Sequence, residues 1–166
     1  MKVIIIGGVA GGATAAARIR RLDENAEIIV FEKSGFVSYA NCGLPYYIGG
    51  VIREESDLTL QTPESFWARF RIDMRVKHEV TEINPDKKTV TVKNLNTNDV
   101  FEEDYDKLLI STGANPTKPA IPGDGADNLF SLRTVEDTLK IRKFVDEKNP
   151  RSVVLAGGGF IRIELA

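Results

Sequence analysis

The sequence predicts an α/β fold: a parallel β-sheet entered through a strand–helix–strand unit and carrying a β-meander insertion. Three observations support this. Residues 2–6, KVIII, are an unbroken run of mostly branched apolar side chains, the pattern of a strand buried on both faces. A glycine-rich turn and a helical pattern over residues 11–22 follow, and a second apolar run, residues 28–31, ends at Glu32. Two alternating runs, residues 78–83 and 89–93, flank Asn84, Pro85 and Asp86, a turn that joins antiparallel strands.

The remaining elements follow in order. Residues 35–50 read as loop, with small, aromatic, Gly and Pro residues around Cys42. Residues 63–70 read as a short helix with Pro63 in its first turn. A further apolar strand spans residues 108–110 and stops at Thr112 and Gly113. Residues 115–125 hold three of the seven prolines and read as a crossover. Residues 134–147 predict a polar-faced helix broken by Asn149 and Pro150, and residues 152–156 a new buried strand. Gly157, Gly158 and Gly159 come next, so a strand followed by glycines stands at both ends of the chain.

The 166 residues are 42% hydrophobic and 28% charged, enough for a domain with a core. Lys and Arg total 22 against 24 Asp and Glu, and the net charge of -2 gives no global reason to expect nucleic acid or an anionic membrane. Phosphate binding must then be local. One cysteine and one histidine, Cys42 and His78, exclude an internal disulfide and a Cys-rich metal centre, so no metal site is expected. The most apolar stretch, residues 3–17, is interrupted by four glycines and Thr14 and is too short to span a bilayer. The expectation is a soluble, cytoplasmic protein.

Gly7, Gly8, Val9, Ala10, Gly11 and Gly12 join a strand to a helix, and Glu32 closes the next strand 20 residues after Gly12. That is the context of a dinucleotide-binding turn: glycines for the sharp bend and the close helix, helix-start amides for a diphosphate, a carboxylate for ribose hydroxyls. Val9 departs from the usual second glycine. A tight turn without a ligand is the alternative. On the helix, Gly12, Ala15, Ala16, Ile19 and Leu22 share one face, suited to packing on the sheet. Thr14, Arg18 and Arg21 share another, either a solvated basic face or a seat for a phosphorylated ligand. Cys42 lies in SYANCGLPY, where small polar flanks favour an accessible thiol over an inert buried one.

Residues 7–22 (GGVAGGATAAARIRRL), 31–33 (FEK), 38–50 (SYANCGLPYYIGG) and 111–114 (STGA) together resemble the single-cysteine branch of the flavin-dependent pyridine nucleotide-disulfide oxidoreductases. This resemblance runs over the whole chain and is closest to coenzyme A-disulfide and NADH-dependent persulfide reductases. It implies a Rossmann-like FAD-binding domain whose first half spans residues 1–113. A crossover and helix would span 114–149, and the start of an NAD(P)H-binding domain 150–166. Gly7 to Gly12 would cradle the FAD diphosphate, with Glu32 and Lys33 at its ribose, Val80 at adenine, Thr112 and Gly113 along the flavin nucleotide, and Arg133 near the flavin. Cys42 would be the redox nucleophile, and Thr14, Arg18, Arg21, Ser38 and Asn41 would contact coenzyme A. Asp124 after Gly123 reads as a turn residue, not as an FAD ligand.

A lone thiol needs a small partner, so the resemblance implies reduction of coenzyme A disulfide or persulfide by FAD with NADH or NADPH. An NADH oxidase or peroxidase using a cysteine sulfenic acid is the alternative enzyme. In the final segment Arg162 stands where a third fingerprint glycine is expected, ahead of Glu164. The chain is therefore expected to be an N-terminal fragment with little or no turnover by itself, or a non-catalytic FAD-binding module. The complete enzyme is expected to be a homodimer.

Overall fold

A computed structural model describes residues 1–117, 122–123, 125–157 and 159–165, the side chain of Arg162 excepted. Asp124, Gly158 and that side chain, each singled out above, lie outside the described residues. The chain divides into two units, Met1–Tyr39 with Thr59–Gly113, and Ala40–Leu58 with Ala114–Ala166.

The first unit is built on four parallel strands in the order β3-β2-β1-β7: β1 (Lys2–Ile6), β2 (Glu27–Glu32), β3 (Asp73–Val76) and β7 (Lys107–Ile110). Both faces of this sheet are covered, which is why β1 and β2 are apolar at successive positions. On one face Val3, Ile5, Ile28, Val30 and Met74 meet Ala13, Ala16 and Phe66 from two helices, α1 (Ala10–Leu22) and α3 (Pro63–Phe70). On the other, Ile4, Ile29 and Phe31 meet Val90 and Val92. These valines belong to the central strand of an antiparallel meander, β4 (His78–Asn84), β5 (Thr89–Asn94) and β6 (Val100–Asp104). The expected parallel sheet and meander are both present. Strands β3 and β6 are additions to the sequence reading.

The face of α1 needs one correction. Gly12, Ala13 and Ala16 are buried and Ile19 half-buried, but Leu22 is 70% exposed. The end of the helix is fastened by Arg20 instead. Its guanidinium donates to the carbonyls of Phe70 at 2.8 Å, Arg71 at 3.0 Å and Glu24 at 2.6 Å, satisfying acceptors at the ends of α1 and α3. At the other end of α3, the Thr62 side chain accepts the Ser65 amide and the Ser65 hydroxyl accepts the Thr62 amide, with Pro63 at the first position.

A cluster of charges joins the parallel sheet to the meander. Glu103 on β6 takes Lys2 Nζ at 2.6 Å and an Arg75 guanidinium nitrogen at 3.0 Å; Lys2 also reaches Asp104 and Arg75 also reaches Asp73. Burial disfavours the Lys2 charge, but hydrogen bonds and attraction from Glu103 and Asp104 outweigh it and hold the ammonium above its ordinary pKa. The same hydrogen bond and charge from Lys2 hold the Asp104 carboxyl below its ordinary value.

The second unit holds a 3-10 turn, Asn41–Gly43, followed directly by α2 (Leu44–Ile48), then α4 (Val135–Lys148) and α5 (Phe160–Leu165). Residues 35–50, read as loop, thus contain a short helix, started by Pro45 in its first turn. Arg142 on α4 donates to the Ile48 carbonyl at 3.0 Å, fastening α4 to the end of α2. Residues 152–156 are not a strand. Val153 is 68% and Val154 90% exposed, and no neighbouring strand among the described residues pairs with them. An apolar run becomes a strand only where its amides and carbonyls find partners. Among the described residues no helix is long and apolar enough to cross a membrane, and no group of His, Cys, Asp and Glu could hold a metal ion.

Removing the shared carboxylate would take one ion-pair partner from each of two half-buried cations on the parallel sheet, leaving Lys2 with Asp104 and Arg75 with Asp73. Glu103→Ala is expected to cost about 1–3 kcal/mol of unfolding free energy, measured by urea denaturation at neutral pH. Because the folded Asp104 pKa is depressed, its contribution is present above the unfolded pKa and lost as pH falls through the folded one. The stability contributed by the Lys2–Asp104 pair should therefore fade in strong acid, read from the pH dependence of urea unfolding in wild type against Asp104→Asn.

Candidate functional site

In the first unit Gly7 to Gly12, Glu32, Lys33, Thr112 and Gly113 lie at the carboxyl ends of β1, β2 and β7, whereas Val80 is on the meander and Thr14, Arg18 and Arg21 lie along α1. Gly7 leaves β1 at φ 101, and a Cβ there would run into the Ser111 carbonyl oxygen at the end of β7. Gly12, inside α1, faces the Gly7 carbonyl so closely that a Cβ would collide with its oxygen. These two contacts fix where α1 begins. Val9 is its N-cap, supplies no side-chain cap, and no acidic residue lies in the first turn. The first intrahelical bond runs from Ala13 N–H to the Val9 carbonyl at 2.9 Å. The amides of Ala10, Gly11 and Gly12 accordingly have no acceptor within the helix, leaving the positive helix end unanswered.

Glu32 lies beside this turn, but its carboxylate is engaged. Oε2 accepts the Gly8 amide at 2.7 Å and Oε1 the Ser34 amide at 2.8 Å. Lys33 pairs with Glu79 on β4 at 2.7 Å. Val80 is half-buried on β4, an outer strand of the meander, where a bulge separates it from Glu82. Thr112 and Gly113 follow β7 directly and are exposed, and Gly113 turns the chain at φ 68. Ser38 adopts φ 48 and gives its amide to the Gly8 carbonyl at 3.0 Å. Thr14, Arg18 and Arg21 are exposed along α1; the two guanidiniums have no hydrogen-bond or ion-pair partner among the described residues.

The other expected residues lie in the second unit. Cys42 is exposed in the middle of the 3-10 turn. The Gly43 amide closes that turn on the Ala40 carbonyl at 2.9 Å, and Leu44 and Pro45 are buried behind it. Beside the thiol, Asn41 Oδ1 is buried without a hydrogen-bond partner. Arg133 is held before α4 by donating its Nε to the Ala114 carbonyl at 2.9 Å and its amide to Asp137 at 3.1 Å. It lines a cleft of about 560 Å³ with Asn115, Phe130, Thr134 and Lys140.

The sequence reading missed the inward partners of Glu32 and the backbone bond from Ser38 to Gly8. Hydrogen bonds to main-chain amides need only an acceptor and leave little trace in residue type.

All 166 residues match the family described as pyridine nucleotide-disulphide oxidoreductase. The chain belongs to that family. It is 44% identical over 164 residues to a coenzyme A disulfide reductase of Staphylococcus haemolyticus, covering 99% of this chain and 37% of the relative. Among solved structures, reduced CoADR-RHD of Bacillus anthracis matches with TM-score 0.97 and 52% identity over 99% of this chain and 30% of that one. A NAD-dependent persulfide reductase from A. fulgidus matches with TM-score 0.88 and 36% identity, covering 99% and 31%. The chain thus spans little more than a third of the curated relative's length. Membership accounts for the α/β architecture with its parallel sheet.

The Gly7–Gly12 contact gives the family turn a direct test. Gly12→Ala forces a carbon against a backbone oxygen that no side-chain rotation can move aside. It should destabilise the chain by about 1–3 kcal/mol or more in urea unfolding, whereas Ala17→Gly on the same helix should cost only about 1 kcal/mol.

Proposed function

We propose that this chain is the flavin-side portion of an FAD-dependent NAD(P)H:disulfide oxidoreductase acting on coenzyme A disulfide or persulfide through Cys42. The observation that carries the cofactor is the uncapped start of α1: three amides with no acceptor among the described residues, at a turn where two glycines admit close backbone, suit a diphosphate. Gly7 to Gly12 would hold that diphosphate, Glu32 and Lys33 the ribose, Val80 the adenine, and Thr112, Gly113 and Arg133 the remainder of the flavin nucleotide. When bound, FAD supplies the two-electron chemistry that links NAD(P)H to a disulfide.

The substrate reading is supported by the single exposed thiol and by the 44% and 52% identity to coenzyme A disulfide reductase and CoADR-RHD. As thiolate, Cys42 attacks one sulfur of coenzyme A disulfide; the sulfur–sulfur bond breaks, one coenzyme A leaves as thiolate, and the other stays as a mixed disulfide with Cys42. With a persulfide, the outer sulfur transfers to Cys42 and coenzyme A leaves as thiolate. Thr14, Arg18 and Arg21 would meet the phosphates of coenzyme A, and Ser38 and Asn41 its remaining polar groups. Asn41 Oδ1, buried and unpaired, is an acceptor for a substrate N–H or O–H.

The exchange step needs no nicotinamide and can be followed on the 166-residue chain. Incubation with coenzyme A disulfide should add one coenzyme A to Cys42 by mass spectrometry, and Cys42→Ser should remove the adduct while leaving FAD binding, read from visible absorbance, unchanged. An added oxygen in place of coenzyme A would favour sulfenic acid chemistry. A chain that takes up neither FAD nor coenzyme A would overturn the proposal.

A further inference from the structure

We propose that Glu32 is a positioning residue for the glycine turn: its carboxylate presets the Gly8 peptide, and through it the α1 amides that meet a diphosphate, independently of any contact with ribose. This rests on the reading of the turn as the FAD site. The Gly8 peptide group is held from both sides. Glu32 Oε2 takes its N–H at 2.7 Å, and the Ser38 amide gives to its carbonyl at 3.0 Å. The preceding residue is fixed too, because Gly7 N–H donates to the Phe31 carbonyl at 2.8 Å. The second Glu32 oxygen accepts Ser34 N–H at 2.8 Å, so the carboxylate is anchored to the turn after β2 while it grips the turn after β1. A Cβ on Gly8 would lie 2.9 Å from Val37 Cγ1 and 3.3 Å from Glu32 Cβ, which leaves this peptide little room to shift.

Two consequences follow from the chemistry of these groups. Gly8 N–H points to Glu32, so an anion at the turn is left to Ala10, Gly11 and Gly12, whose direction is set by how Gly8 is held. A carboxylate has about four acceptor positions, two of which are taken here, so ribose hydroxyls can be accepted as well. Glutamine cannot reproduce the arrangement: with both backbone partners donors, its NH2 would face one of them and that bond is lost.

Nucleotides with and without ribose hydroxyls separate the two roles. The chain would be titrated calorimetrically with ADP and with 2′,3′-dideoxy-ADP, and the Gly8 amide followed by NMR hydrogen exchange without ligand. Glu32→Gln should weaken dideoxy-ADP by about tenfold, the size of one charge-assisted hydrogen bond, weaken ADP further, and speed Gly8 exchange. Unchanged dideoxy-ADP affinity with weakened ADP would reduce Glu32 to a ribose ligand and overturn the inference. Wild-type chain that binds neither nucleotide would overturn the FAD-site reading, and the inference with it. Should Glu32→Gln not fold, Glu32→Asp keeps the charge but shortens the reach, and the same loss on dideoxy-ADP is expected.

Discussion

The start of α1 is pinned by backbone meeting backbone. Gly12 lies against the Gly7 carbonyl and Gly7 against the Ser111 carbonyl, so helix and both flanking strand ends meet with no side chain between them. A helix that close can offer the sheet only small residues, and Gly12, Ala13 and Ala16 form that face. The opposite face then has to be the exposed one, where Thr14, Arg18 and Arg21 stand. The close seat of α1 on the sheet and the placement of its basic face both follow from these two contacts.

The other side of the sheet obeys a different constraint. Ile4, Ile29 and Phe31 alternate with the helix-facing residues and need a cover of their own, which Val90 and Val92 of the meander provide. Apolar contact alone tolerates sliding between sheets. Glu103 limits it, because one carboxylate must reach Lys2 on β1 and Arg75 on β3 together. Phe31 contributes to the same junction, with the Arg75 guanidinium 5.5 Å over its ring and Phe101 edge-on at 6.2 Å.

Strands β1 and β2 were legible because burial on two faces demands apolar residues at successive positions; β7 was legible from its apolar run alone, since Leu108 and Leu109 are half-buried and Ile110 is exposed. Strand β3, with the sequence DMRV, and β6, with VFEED, escaped because their charged residues are spent on ion pairs, and a paired charge looks in sequence like a solvated one. The five residues of α2 are too few to show a helical period. Leu22 was misplaced because periodicity projects a face past the point where the helix has anything to pack on. In residues 152–156 composition indicated a strand whose pairing partners are not among the described residues. The glycine turn was readable for the reason the interior charges were not: a position that cannot accept a Cβ constrains residue identity directly, whereas the acceptor that grips Gly8 is specified only by reach.

That difference bears on how a chain of net charge -2 can prepare a place for an anion. Cationic side chains would be visible in the composition, but backbone amides carry partial positive charge without changing it. On the proposed reading the amides at the start of α1 would supply the attraction, and an anionic side chain, Glu32, stands 2.7 Å from the neighbouring amide. The Glu32 charge is therefore partly answered by Gly8 and Ser34 before any ligand arrives, which lowers its repulsion toward an incoming phosphate. Its remaining acceptor positions stay open to hydroxyl donors. On the proposed reading, one carboxylate would sit beside a diphosphate, keep the turn in shape, and still favour a ribose whose hydroxyls are free.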